Sequence, residues 1–304
     1  MRWKAFAVAL ITLASLSGCA QSPSQSFDIA ASDVESAKIS SNQTPEFLKV
    51  VALANGAAEI IDSLGLKSIL IGRDVASTEP ALKDVPIVTS GHQVVAEKII
   101  ALSPDLVIID SSVGPSEAIT ALKGAGIAVK SIEEVWSVNA ISSKIREIAS
   151  ILGVGASGEQ LISQLNESIA AANQKVEGSP RVLFLYLRGG NSIYLVGGEG
   201  SGADSMLAAI GAIDVGAQRQ GQPFTPLTAE SLIQMNPEIL LVMSKGLESV
   251  GGVSGLVNLP GVAQTLAGKN SRVISVDDSL LLSFGTRTPS LLNQLALAIN
   301  EVQK

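Results

Sequence analysis

Two stretches of the chain decide the fold. Val95-Ala96-Glu97-Lys98-Ile99-Ile100-Ala101-Leu102-Ser103-Pro104-Asp105-Leu106-Val107-Ile108 aligns without a gap on Thr228-Ala229-Glu230-Ser231-Leu232-Ile233-Gln234-Met235-Asn236-Pro237-Glu238-Ile239-Leu240-Leu241, 133 positions later. Each copy reads as a short helix with Glu in its first turn and one apolar face. A Pro followed by an acid stops the helix, and a continuous apolar run of buried-strand type follows. Any helix–Pro–strand unit shares that outline, but Glu, Pro and acid falling in one register points to a duplicated α/β unit.

Working outward, the first copy sits in an alternating pattern. Phe47–Ala54 is a β-type run, Gly56–Leu64 has helical spacing, and Ser68–Gly72 and Ile87–Thr89 read as strands. The spacing predicts a helix over Val94–Leu102, a strand over Leu106–Asp110, a helix over Ser116–Ala125 and a strand over Ala128–Ile132. Between about Val138 and Lys175 the period becomes helical throughout, and Ala156–Lys175 is long enough for a helix of ~30 Å. Strands are expected again at Val182–Leu187, Ile193–Val196 and Ile239–Met243, with helices at Ala203–Ile210, Ala229–Met235 and Pro289–Val302. The expected architecture is therefore α/β: two Rossmann-like lobes with mainly parallel sheets, residues 46–137 and 179–304. A helical region, 138–178, bridges them by a single long α-helix, and a ligand would sit in the interlobe cleft.

The start of the chain reads as an address. Met1-Arg2-Trp3-Lys4 is basic, Ala5–Leu16 is apolar but too short for a span, and Ser17-Gly18-Cys19 follows. Leu16-Ser17-Gly18-Cys19 resembles the bacterial lipobox, which implies acylation of Cys19 after removal of residues 1–18. That cut takes away Arg2 and Lys4 and leaves 19 basic against 28 acidic residues, a net charge of −9. Residues 19–45, rich in Ser, Gln and Ala, read as a flexible tether. The expectation is an exported protein, lipid-anchored to the outer face of the cytoplasmic membrane.

Composition removes whole classes of chemistry. The 304 residues carry a formal charge of −7, which argues against nucleic acid. Aromatics are 3%, so stacking platforms are scarce. One Cys and one His exclude a disulfide framework, a cysteine-rich metal site and a three-His zinc site. Gly198-Glu199-Gly200-Ser201-Gly202-Ala203 fits the dinucleotide pattern, but residues 217–224 hold no acid to meet a ribose, so the glycines read as a tight turn lining the cleft. No nucleophile elbow is present, and no enzyme is expected.

Several segments together carry a resemblance: Thr89-Ser90-Gly91-His92-Gln93, Leu185-Tyr186-Leu187-Arg188-Gly189-Gly190 with Ile193-Tyr194, Gly198–Asp204, Pro226–Glu230, Gly246–Gly252 and Ser283-Phe284-Gly285-Thr286-Arg287-Thr288-Pro289. Over residues 46–304 the chain resembles the ABC-transporter substrate-binding proteins whose two lobes are bridged by one helix, a class that carries cobalamin, siderophores and haem. Within it, the chain is most similar to haem-binding lipoproteins of bacterial haem importers. The resemblance implies haem as transported ligand, with cobalamin or a ferric siderophore as the alternative cargo. Partners would be an ABC permease dimer with its ATPase, and the protein itself would be a monomer.

On that basis His92, between a strand end and a helix start, is the candidate iron ligand. A single imidazole suffices, because the porphyrin supplies four nitrogens. Tyr194 is the candidate second ligand across the cleft, its plain alternative being a strand residue packed in the sheet. Tyr186, inside an apolar run, is assigned to packing. Arg188, Arg287 and Arg73 are candidates for the haem propionates, each with a solvated loop charge as the alternative. Met206, Met243 and Phe224 are assigned to the core. Glu97 and Glu230 match the surface carboxylates that the class docks onto its permease; the alternative is stabilisation of their own helix N-termini, worth ~0.3–1 kcal/mol.

Overall fold

The computed structural model describes residues 26–90, 93–171 and 175–304. The expected signal segment and Cys19 lie outside the described residues. The expected tether does not hold from Ser26 onward. Ser26–Ile29 forms strand β1, which pairs in parallel with the strand at Val273–Val276. Val34 is then buried, and the backbone amides of Ala37, Ile39 and Ser41 donate to Thr286, Ser63 and Leu64. A segment that looks featureless in sequence is fastened across the body by partners more than 20 residues away.

The N-terminal lobe is built from β2 (Val50–Ala52), α1 (Ala57–Ser63), β3 (Leu70–Arg73), the short hairpin β4 (Thr89–Ser90) and β5 (Gln93–Val94), α2 (Ala96–Ala101), β6 (Leu106–Ile109), α3 (Ser116–Gly124) and β7 (Ala128–Ser131). Its sheet runs β3-β2-β6-β7, all parallel. Two helices follow, α4 (Ile141–Ile151) and the long α5 (Gly155–Ala171). The C-terminal lobe then adds β8 (Arg181–Arg188), β9 (Ile193–Gly197), α6 (Ala203–Ile210), β10 (Ile213–Asp214), β11 (Phe224–Pro226), α7 (Ala229–Met235), β12 (Ile239–Met243), α8 (Ser244–Ser249), α9 (Gly252–Val257), α10 (Leu266–Asn270), β13 (Val273–Val276) and α11 (Thr288–Val302). Its sheet runs β1-β13-β12-β8-β9-β11, with β10 beside β8; β9 and β11 are antiparallel to their neighbours.

The duplicated unit is α2–β6 in one lobe and α7–β12 in the other, and the match extends to hydrogen bonds. Asp105 N donates to Lys49 O at 2.9 Å and Glu238 N to Arg181 O at 2.8 Å. The Asp105 carboxylate accepts from Leu48 N and Lys49 N, and the Glu238 carboxylate accepts from Arg181 N. The acid after each proline therefore holds the start of the neighbouring strand.

Strand periodicity sorts the core. In β8, Leu183, Leu185 and Leu187 pack on the outer face with Leu232, Leu240, Val242 and Leu256. Val182 and Phe184 pack on the inner face with α6 and α11. Those inner residues belong to one continuous apolar cluster that also holds Val50, Ala52, Ile60, Ile108, Ile145 and Leu161. The two lobes thus share a central core, with α4, α5 and α11 contributing to it.

Phe284, in the segment between β13 and α11, is fully buried with φ +46°. A Cβ on Gly202 would lie 2.8 Å from its ring, so glycine with φ +89° is needed there. Phe284→Ala is expected to lower the unfolding free energy by about 3–5 kcal/mol, measured by urea denaturation.

Candidate functional site

Parallel α/β sheets present ligands at their carboxyl ends. Here the two carboxyl edges converge, because the segment leaving β13 lies against the N-terminal lobe. Asn55, just past β2, donates Nδ2 to Leu282 O at 2.7 Å, and Lys144 Nζ of α4 donates to Ser283 O at 2.8 Å. Ser63 Oγ and Thr286 Oγ1 are 2.6 Å apart. Beside these contacts, Asn55, Asp110, Ser112, Glu134, Trp136 and Lys144 line a small polar recess. Asp110 organises it by accepting from Asn55 N, Ser112 N and Ser112 Oγ.

On the N-terminal side, the β4–β5 hairpin pairs Thr89 with Val94 and Ser90 with Gln93. Val75 N donates to Thr89 Oγ1 and Val94 N to Gly114 O, so loops on both flanks hold it. Gly91 and His92 lie outside the described residues. On the C-terminal side, β8 ends in Tyr186-Leu187-Arg188. The Arg188 guanidinium lies 4.5 Å above the Tyr186 ring centre and contacts Asp278 at 3.3 Å. Phe224 packs edge-on against Tyr186, ring centres 5.7 Å apart.

These placements correct three sequence expectations. Tyr194 stands opposite Leu187 in the β8–β9 register and packs against the outer cluster with Leu227 and Leu247. Tyr186 lies on the inner face. Residues i and i+2 of a strand share a face, so Tyr-x-Arg was the sequence signal for this pair. Arg73 is buried: Nε donates to Leu82 O and Val85 O and Nη1 to Ser77 O, so it braces the loop after β3. Arg287 is 3% exposed and bridges Glu59 and Glu79, with Ser279 O taking a further donor. Neither arginine is free to meet a ligand.

Met206 and Met243 are core residues, as expected, and Phe224 is half-buried. The glycine turn is tight: Gly200 N and Gly202 N both donate to the Asp204 carboxylate at 2.9 Å. That carboxylate occupies the helix N-terminus where a pyrophosphate would need to bind. Among the described residues no group of three His, Cys, Asp or Glu is placed to hold a metal ion. No described helix is long and apolar enough to cross a membrane.

Sequence reasoning missed Lys144, Glu59 and Glu79, since nothing in a helix or loop pattern marks a charge for burial. Burial pushes the Lys144 ammonium down to about 8, opposed by the nearby Glu59, Asp110 and Glu134 carboxylates. A depressed lysine makes the fold gain stability as pH rises from about 8 towards the lysine's ordinary value, where the unfolded chain binds the extra proton. Lys144→Met is expected to lose that alkaline gain in thermal melts between pH 7 and 10.

Known proteins of the same shape were found. RhuT, a periplasmic heme-binding protein from Roseiflexus sp. RS-1, matches with TM-score 0.79 and 38% identity over 84% of this chain and 99% of its own. The heme-binding protein HmuT matches with TM-score 0.77 and 33% identity over 90% of this chain and 94% of its own. HmuT structures include single alanine substitutions of a histidine, a tyrosine and the arginine two residues after that tyrosine. By sequence, the uncharacterized ABC transporter substrate-binding lipoprotein YvrC of Bacillus subtilis (strain 168) is 26% identical over 98% of this chain and 96% of its own. Residues 50–280 match the periplasmic binding protein family, and with two lobes, converging carboxyl edges and most of its length in that match, the chain belongs to it.

Proposed function

We propose that the chain captures haem between its lobes outside the cytoplasmic membrane and delivers it to an ABC permease dimer with its ATPase. Family membership makes it an extracytoplasmic binding protein rather than an enzyme. The observation that carries the haem reading is the Tyr186–Arg188 pair at the end of β8. A phenolate gives ferric iron an anionic oxygen ligand, and a guanidinium over the ring balances the charge that such a ligand brings. Arg188 stays partly exposed beside Asp278, so it also serves a propionate. The Tyr-x-Arg spacing is that of the tyrosine and arginine substituted in HmuT. His92, which follows β4 in the sequence of the other lobe, supplies the second ligand, and one ligand per lobe ties capture to lobe apposition.

Cys19 is the lipid attachment point in this reading, and the protein acts as a monomer. Glu97 and Glu230 dock the two lobes on the permease. Both are exposed, and neither enters an ion pair among the described residues. One turn on, at the equivalent positions of the duplicated unit, Ile100 and Ile233 are also exposed, at 38% and 49%. A carboxylate with an isoleucine beside it, repeated on each lobe, suits a two-fold partner presenting the same basic and apolar surface twice.

Titration of residues 20–304 with hemin is expected to give a saturable one-to-one Soret shift. Tyr186→Phe and His92→Ala should each change the ligation spectrum and weaken binding by about tenfold or more, an order-of-magnitude expectation. Tyr194→Phe should bind as the parent does. No shift with hemin, together with binding of cyanocobalamin or a ferric siderophore, would contradict the reading. Glu97→Ala with Glu230→Ala should leave hemin affinity unchanged while lowering stimulation of the permease ATPase.

A further inference from the structure

Arg287 and its partners do more than fill the interior. Glu59 comes from α1, Glu79 from the loop between β3 and β4, and Arg287 from the segment between β13 and α11. The guanidinium meets Glu59 Oε2 at 3.0 Å and Glu79 Oε1 at 2.8 Å, and all three side chains are at most 7% exposed. Glu59 is saturated: Oε1 accepts from Thr286 Oγ1 and Arg287 N, and Oε2 accepts from Arg287 Nε. Glu79 is not, because its Oε2 is buried without a hydrogen-bond partner among the described residues. It lines a cavity of about 550 Å³ under the N-terminal segment.

The loop that carries Glu79 is tied by side-chain hydrogen bonds at several points. Arg73 fastens it from one end, the Asp74 carboxylate accepts from Ala76 N and Ser77 N, and Val75 N ties it to Thr89 of the β4–β5 hairpin. A connected path therefore runs from Arg287 in the C-terminal lobe through Glu79 to the hairpin on the N-terminal lobe. We infer that Glu59, Glu79 and Arg287 form an interlobe latch, three positioning residues that fix the β4–β5 hairpin against the C-terminal lobe and release it when Glu79 ionises.

The charge count explains the release. Two carboxylates share one guanidinium, so with both ionised one buried negative charge is left over, and among the described residues Glu79 Oε2 has no donor to meet it. A proton on Oε2 removes that charge while Oε1 keeps Arg287. The other charged groups around Glu79 are Asp62 of α1, Glu35 and Lys38 of the N-terminal segment and Asp74 of its own loop, with Arg73 at the end of β3 bonded to that loop; Lys144 faces Glu59 from α4. Burial and the neighbouring Glu59 push the Glu79 carboxyl up to about 8, against the pull of Arg287. A carboxyl raised in the folded state adds stability that is complete at low pH and is lost as pH rises through the raised value.

Glu79→Gln keeps the shape of the protonated acid and cannot ionise. Thermal melts of the ligand-free chain between pH 4 and 9 should show parent and Glu79→Gln together at pH 4, with the variant melting progressively higher up to pH 8.5–9. Parallel curves across the range would overturn the protonation step. Hydrogen exchange of Arg287→Met should show faster exchange at both 74–89 and 277–287. Acceleration confined to 277–287 would overturn the interlobe link. A binding arm rests on the haem reading: the hemin affinity of the parent should fall severalfold relative to Glu79→Gln between pH 6.5 and 8.5. A constant ratio would overturn the role in binding. Absence of hemin binding altogether would overturn the haem reading and leave the latch to the melts and the exchange data.

Discussion

A single buried guanidinium sets the geometry of this molecule. Arg287 leaves solvent at a cost of several kcal/mol, which the Glu59 carboxylate and the hydrogen bonds to Glu79 and Ser279 offset. An apolar replacement of the whole cluster could equal it in stability, so its value lies in orientation. It holds the segment after β13 against α1, and the Asn55 and Lys144 contacts on the same segment follow. With that segment fixed, the carboxyl edges of the two sheets face a common region. The shared apolar core then makes the lobes parts of one body, so a change at their junction is felt at the site.

The fold was legible where local and tertiary signals agree. Helices at Ala203–Ile210 and Ala229–Met235 and the strand at Ile239–Met243 stand as the spacing predicts. They carry strong periodicity, and Thr228 caps α7 by accepting from Ser231 N. The duplication gave both lobes at once. What stayed hidden depends on partners remote in the chain. Strand β1 has four residues of ordinary composition and exists because β13 offers it an edge. The short helices between Ser244 and Asn270 are glycine-broken pieces too brief for a helical period.

The candidate site was legible by residue type and misread by direction. Tyr186 reads as a packing residue because its neighbours are apolar, whereas Tyr194 reads as the ligand from its place at a strand end and from the resemblance. Pairing of Leu187 with Tyr194 puts Tyr194 against the outer cluster, and Tyr186, packed on the inner face as expected, also shares that face with Arg188. Arg188 beside Tyr194, Arg287 in its Phe-Gly-x-Arg-x-Pro segment and Arg73 suggest propionate contacts, but sequence carries no sign that Glu59 and Glu79 await Arg287 or that the carbonyls of Ser77, Leu82 and Val85 surround Arg73. Arg188, the one of the three left partly exposed, is also the one placed beside the tyrosine.

Capture needs no covalent step in this arrangement. In the proposed arrangement one lobe offers a strand-borne phenol with its arginine, and the buried ion cluster holds the β4–β5 hairpin of the other lobe against it. The most direct test is a crystal structure of the chain with hemin bound. The haem is predicted between the lobes, with its iron bonded to Tyr186 Oη and Arg188 against the tyrosine or a propionate. Haem bound elsewhere, or iron ligated by Tyr194, would contradict the account.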